Sequence, residues 1–415
     1  MPKLLRKLIA VVPAVLAAVC SGSGGRAQSA PPPAADATLH VQRNLITSVG
    51  TPASAGVAPR APMQVNGSGA PASARPMPKI IFPAKLYDYV SYAVTNLPPH
   101  YKTASITSSV FAPADNPITN AGANLGRVLF YDKHLSANNT VSCGSCHIQR
   151  TGFGDPRQFS DGFEGKLTKR HAMALSNVRY YRGGRYFWDE RAVTLEMQAL
   201  MPIANEIEMG SDLKMLPSKL SALSYYPPLF QWAFGTPEIT TDRIAKALAQ
   251  FLRSMVTYGS KYDQAAVLGQ TGFEKVFSHE ELHGRAVFVA SNCHFCHSTD
   301  VQTAIQAVSN GLDADILDPG AEGGRFKVPS LRNVAVRQRF MHDGRFGSLD
   351  EVIKFYDSAV EPSPSLSPLL RAQDGMPKRL NLSEQDKADL KAFLETLTDE
   401  SFLTDLKFSD PFEER

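Results

Sequence analysis

Long apolar runs are missing from most of this chain. Beyond residue 20 nothing approaches the ~20 consecutive apolar residues that a bilayer-spanning helix needs, so the sequence does not read as membrane-spanning. An excess of one charge is missing too. Lys plus Arg number 43 against 40 Asp plus Glu, a formal charge of +3, with no block of five or six like charges. Charge therefore indicates neither a nucleic acid nor an anionic membrane as partner. Cysteine is scarce, five in 415 residues, which excludes a small fold stapled by disulfides. That length allows two or three domains and a sizeable core.

Residues 1–27 have the layout of an export signal: Lys3, Arg6 and Lys7, an apolar run from Leu8 to Cys20, and small residues ending at Gly25-Arg26-Ala27. Cleavage is expected after Ala27, with the mature protein in the periplasm. Cys20 is a conceivable lipid site, but Val19 poorly matches the small residue expected before a lipidated cysteine. Residues 28–78 are rich in Ala, Pro, Ser and Gly with few large apolar side chains. They cannot bury enough surface to offset ordering entropy and read as a flexible arm. In the 79–114 extension, Ile80 to His100 (IIFPAKLYDYVSYAVTNLPPH) regains aromatic and β-branched residues and is expected to pack on the folded body.

From about Asp115 the periodicity is helical, with little strict alternation. In Thr241–Tyr258, Ile244, Leu248, Leu252 and Met255 share one face, Thr241 is the expected N-cap and Gly259 the expected stop. Ser278 with Glu281 and Ser383 with Asp386 have capping-box spacing. The fold class is mostly α.

The chemistry lies in a C-x-x-C-H group that occurs twice, as Cys143-Gly144-Ser145-Cys146-His147 and Cys293-His294-Phe295-Cys296-His297. On a helical turn, cysteines at i and i+3 share a side and can both add to the vinyl groups of one porphyrin. The histidine at i+4 then addresses the iron. Two disulfides or two redox pairs are the ordinary readings of four exported cysteines. Neither explains why a histidine follows both pairs, nor why the mature chain has no other cysteine. Two covalent haem c groups are expected, one per helical domain.

Three stretches carry a resemblance to the bacterial dihaem cytochrome c peroxidases and the related MauG enzymes. They are LGRVLFYDKHLS from Leu125, YFWDERAVTLEMQALMPIANEIEMG from Tyr186 and VPSLRNVAVRQRFMHDGRFGSLDEVIKFY from Val328. The resemblance covers about Asp115 to Leu397. It implies two cytochrome c-like domains, 115–260 and 261–405, followed by a tail of 406–415, with hydrogen peroxide as oxidant. It places Trp188 between the haems, Gln198 and Glu208 over the peroxide-binding iron and Pro202 in the loop between that pair. A carboxylate there suits heterolysis, since it can take a proton from one peroxide oxygen and return it to the other. Taken singly, such residues are ordinarily a solvated glutamate, a surface glutamine and a core tryptophan.

Many of these peroxidases carry a removable distal histidine on the first haem. Counting back from Lys169-Arg170-His171 reaches Phe163, and no histidine lies between His147 and His171, so that haem is expected to be open. In the family the second haem's sixth ligand lies fourteen residues after the histidine of the H-D-G motif, here His342, which gives Tyr356 in place of a peroxidase methionine. Phenolate is a hard donor that favours oxidised iron; Met341 and Met376 are the alternatives. A family calcium between the domains uses an asparagine where this chain has His171, and backbone carbonyls where it has Arg337 and Arg339. Imidazole substitutes poorly for oxygen, so calcium is doubtful. Three functions fit: a peroxidase fed by a small cytochrome c or copper protein, a MauG-like oxidase of partner side chains, or a non-catalytic dihaem carrier.

Overall fold

The computed structural model describes residues 86–181, 184–304 and 306–412. The expected signal peptide and arm lie outside the described residues. The described residues all belong to one compact unit. Among the described residues it is helical with isolated β-bridges and no strand, and no helix is long and apolar enough to cross a membrane.

Two hydrophobic clusters organise the unit. The first forms where helix Asn120–Tyr131 packs along Thr241–Ser254, burying Leu125, Leu129, Phe130, Leu248 and Phe251. The second forms where His279–Ala290 packs along Glu384–Glu395, burying Val287, Phe288, Leu390 and Phe393. Each pair closes at a glycine. A Cβ on Gly126 would lie 2.0 Å from the Ala247 carbonyl oxygen, and one on Gly284 would lie 1.8 Å from that of Asp389. Any side chain there would force the helices apart.

Both capping boxes are present, Ser278 with Glu281 and Ser383 with Asp386. The Thr241 helix differs at both ends from its sequence reading. Thr240 is the N-cap, its hydroxyl accepting from Arg243 N at 3.2 Å, while Thr241 donates to the Leu213 carbonyl instead. The helix ends at Ser254 rather than running to Gly259. Side chains elsewhere claim the next amides: Asn177 Oδ1 accepts from Thr257 N at 3.1 Å, and Asp399 Oδ2 from Tyr258 N and Gly259 N at 3.0 and 2.7 Å. Those N–H groups are thereby lost to the helix.

Residues 86–114 lie against this body. Tyr89 and Ala93 are fully buried, Tyr92 and Tyr101 donate to the carbonyls of Val256 and Thr257 at 2.5 and 2.6 Å, and His100 Nε2 lies 2.8 Å from Asp263 Oδ1. Phe402, Leu403 and Phe408 return the end of the chain to the first cluster.

Candidate functional site

Each cluster wraps a cavity, and each cavity contains one C-x-x-C-H group. The first, of 790 Å³, is lined by Cys143, Cys146, His147, Gln198, Pro202 and Glu208; the second, of 230 Å³, by Cys293, Cys296, His297, Met341 and Tyr356. Both cysteine pairs sit on single helical turns, Cys143–Cys146 and Cys293–Cys296. At each turn's end the histidine N–H makes the last helical bond, to the first cysteine's carbonyl at 2.9 Å, and the histidine's own φ and ψ, −109° and 83° at His147 and −108° and 65° at His297, take the chain out of the helix.

The next loop fixes each imidazole. His147 Nδ1 lies 2.8 Å from the Phe153 carbonyl oxygen and His297 Nδ1 3.3 Å from that of Gln302. Phe153 and Gln302 both hold positive φ, +62° and +43°, uncommon for such residues. With Nδ1 donating to a carbonyl, Nε2 keeps its lone pair for a metal. Burial depresses both histidines, His297 to about 4, so they are neutral and fit to ligate. The four cysteines are unpaired. Burial pushes Cys143 up to about 12, Cys146 to about 11 and Cys293 to about 12, the reverse of a reactive redox pair. The donor set and the apolar walls fit a covalently held haem.

Gln198 lies on helix Leu195–Ala204, and Pro202, expected in a loop, lies inside the last turn of that same helix. Just past its end, Asn205 Oδ1 accepts from Ile207 N and Glu208 N at 2.9 and 3.1 Å, turning the chain so that Glu208 lines the same cavity as Gln198. Burial raises the Glu208 carboxyl above its ordinary value, with Arg191 opposing. Phe163 is absent from the cavity lining and packs on Gly210. His171 lines both cavities, with its Nδ1 3.2 Å from the Gln158 carbonyl oxygen.

Trp188 also lines both cavities. Its Nε1–H donates to the His171 carbonyl at 2.8 Å, and its own carbonyl accepts from Lys327 N at 2.8 Å. In the second cavity burial pushes the Tyr356 phenol up to about 12 against a hydrogen bond from Asn310. Asn310 Nδ2 lies 3.3 Å from Tyr356 Oη and 3.5 Å from Met341 Sδ, so one amide touches both candidate ligands. Met376 is 54% exposed and outside the lining.

The family described as Di-haem cytochrome c peroxidase matches residues 120–271. The methylamine utilization protein MauG of Methylophilus methylotrophus is 34% identical over 313 residues, covering 73% of this chain and 89% of that protein. The chain belongs to this dihaem peroxidase and MauG family. The cytochrome c551 peroxidase of Nitrosomonas europaea is 31% identical over 244 residues, covering 56% of this chain and 71% of that protein. The crystal structure of a MauG-like protein associated with microbial copper homeostasis superimposes with a TM-score of 0.64 at 32% identity, covering 72% of this chain and 95% of that one. Membership makes this chain an oxidoreductase of the peroxidase class with haem as cofactor.

Sequence reasoning passed over Lys327 and Asn310. Lys327 stands directly before the quoted stretch from Val328, and a lone lysine beside apolar residues was the available signal. Asn310 lies in a loop without a motif.

Proposed function

We propose that the chain is exported to the periplasm and works there as a dihaem c-type peroxidase of two cytochrome c-like domains. Cys143 and Cys146 would hold one haem with His147 on its iron; Cys293 and Cys296 would hold the other, with His297 and Tyr356 on its iron. Bound haem supplies the one-electron steps by which hydrogen peroxide becomes water. The observation that carries this reading is the convergence of Gln198, Pro202 and Glu208 on the cavity of His147.

In this reading the Gln198 amide holds peroxide by hydrogen bonding. The Glu208 carboxylate takes the proton from the near oxygen and delivers it to the far one, so that water leaves instead of hydroxide. A carboxyl with raised proton affinity is suited to that return step. Trp188, in the wall common to both cavities, offers an aromatic relay between them. A phenolate from Tyr356 favours oxidised iron and suits the second cavity to storing an oxidising equivalent. That feature also favours a second reading, a MauG-like oxidase acting on side chains of a partner protein.

Pyridine haemochrome assay and intact mass should give two covalent haems and no titratable thiol. Peroxide should then be consumed with oxidation of a small reduced cytochrome c or copper protein. Oxidation of a partner's side chains instead selects the second reading, and inertness to peroxide sinks both in favour of a non-catalytic carrier.

A further inference from the structure

Five residues line both cavities: His171, Met173, Ala174, Trp188 and Lys327. Lys327 is the lysine of that shared wall, and it is 6% exposed. Its backbone N–H on the Trp188 carbonyl pins the root of the side chain. Its ammonium lies 4.2 Å from the ring centroid of Tyr181 and 5.2 Å from that of Tyr186. Ring faces attract a cation but accept little from its three N–H donors, and they offset only part of the loss of water. Among the described residues Lys327 Nζ has neither an ion pair nor a hydrogen bond. Glu190, whose field reaches it, accepts the Tyr181 hydroxyl hydrogen. Burial lowers the Lys327 pKa to about 8, as befits a cation short of a counter-ion.

Tyr186 lines the first cavity and not the second, so the ammonium beside its ring stands at the first cavity. A buried cation without a counter-ion matches an anion with several lone pairs, and a carboxylate meets that description. A haem brings two propionate carboxylates into any pocket that holds it.

We propose that Lys327 holds a propionate of the haem in the first cavity, as a positioning residue whose charge tunes that haem from the wall the cavities share. The proposal rests on the reading that the first cavity holds a haem. Because Lys327 is tied through its backbone to Trp188, the same contact would fix the haem relative to the indole.

The test uses the holoproteins of wild type, Lys327→Met, Lys327→Gln and Lys327→Arg, with haem counted first and then resonance Raman spectra and redox titration. Lys327→Met should shift the propionate bending band of one haem and lower that haem's midpoint potential, because loss of a nearby positive charge favours ferric iron. Lys327→Arg should restore both. If Lys327→Met does not fold, Lys327→Gln, which keeps a polar side chain and removes only the charge, should still shift the band and lower the potential. Two haems with unmoved bands and potentials in Lys327→Met and Lys327→Gln would overturn the proposal and leave the haem reading intact. A wild-type chain lacking haem on Cys143 and Cys146 would overturn both.

Discussion

Trp188 Nε1–H donates to the backbone carbonyl of His171 at 2.8 Å, and the His171 N–H donates in turn to the carbonyl of His342 at 2.9 Å. With Lys327 N on the Trp188 carbonyl, these bonds tie together four residues that line the cavities. The indole is held by its own ring nitrogen and by its backbone. Trp188→Phe keeps an aromatic body and removes the ring bond. The variant should retain both haems, while peroxide added to it should change the second haem's spectrum more slowly than the first's. Stopped-flow absorbance at two wavelengths measures this; coincident, wild-type rates would take Trp188 out of the relay.

Glu208 can act as a base only when ionised, and burial raises its pKa. The rate of peroxide heterolysis should therefore rise with pH through an acid limb lying above the usual carboxylate range. Glu208→Gln should lose that limb and about 10²–10⁴ in rate, the span typical of a general acid–base group. A pH series of rapid mixing with peroxide reads both effects. A variant rate within a few-fold of wild type makes Glu208 a bystander.

Asn310 Nδ2 touches both candidate ligands of the second haem, Tyr356 and Met341. If Tyr356 ligates, Tyr356→Phe should convert that haem's low-spin spectrum and shorten the life of the peroxide-oxidised state, while Met341→Leu leaves the ligation intact. An unchanged spectrum in Tyr356→Phe with a changed one in Met341→Leu reverses the assignment.

Features set by local covalent spacing were legible in the sequence. The two C-x-x-C-H groups need only a helical turn, and both fall on one. The capping boxes are equally local. What the sequence concealed depends on partners far along the chain. Gly259 is no helix stop, because Asp399 takes its amide from 140 residues away. The positive φ at Phe153 and Gln302 has no signature in side chains of those types. Lys327 matters because two cavities meet at it, and Asn310 because of what it touches across the second cavity. Gln198 and Glu208 were reached through the surrounding motif, since a glutamine and a glutamate on their own are ordinary surface residues.

The shared wall also bears on calcium. His171 Nδ1 is engaged by the Gln158 carbonyl. Arg337 lines the second cavity and donates to the carbonyls of Ser330 and Arg332 at 2.7 and 3.0 Å, with its Nε buried and unpartnered. Burial lowers its pKa to about 10, so at neutral pH it remains a cation. A fixed positive charge there can serve where another protein would use an ion. Exhaustive chelation should leave the haem spectra and peroxide reactivity unchanged. Loss of reactivity that added calcium restores would refute this.

One buried ion pair joins the N-terminal extension to the second cluster. Arg332 Nη1 and Nη2 grip Asp263 Oδ2 and Oδ1 at 2.7 and 2.8 Å, and His100 bonds the same carboxylate. Burial alone would raise Asp263; the Arg332 charge and the hydrogen bonds from His100, Arg332 and Ser260 outweigh it and hold the pKa at about 2, below the ordinary 3.8. A depressed carboxyl stabilises the fold above its unfolded pKa, and that contribution disappears as pH falls from about 4 to about 2. Linkage sets its size at roughly 2–3 kcal/mol near neutrality. Asp263→Asn leaves Arg332 buried without its counter-charge, which costs about 3–5 kcal/mol. Denaturant unfolding of the holoprotein at pH 7 should show that loss, and the variant's midpoint should fall less than wild type's between pH 4 and pH 2. The extension loses the anionic partner of His100 in the same variant, so limited proteolysis should cut residues 86–114 sooner. Equal midpoints at pH 7 would mean that water reaches the pair and that the extension is held by its tyrosines alone.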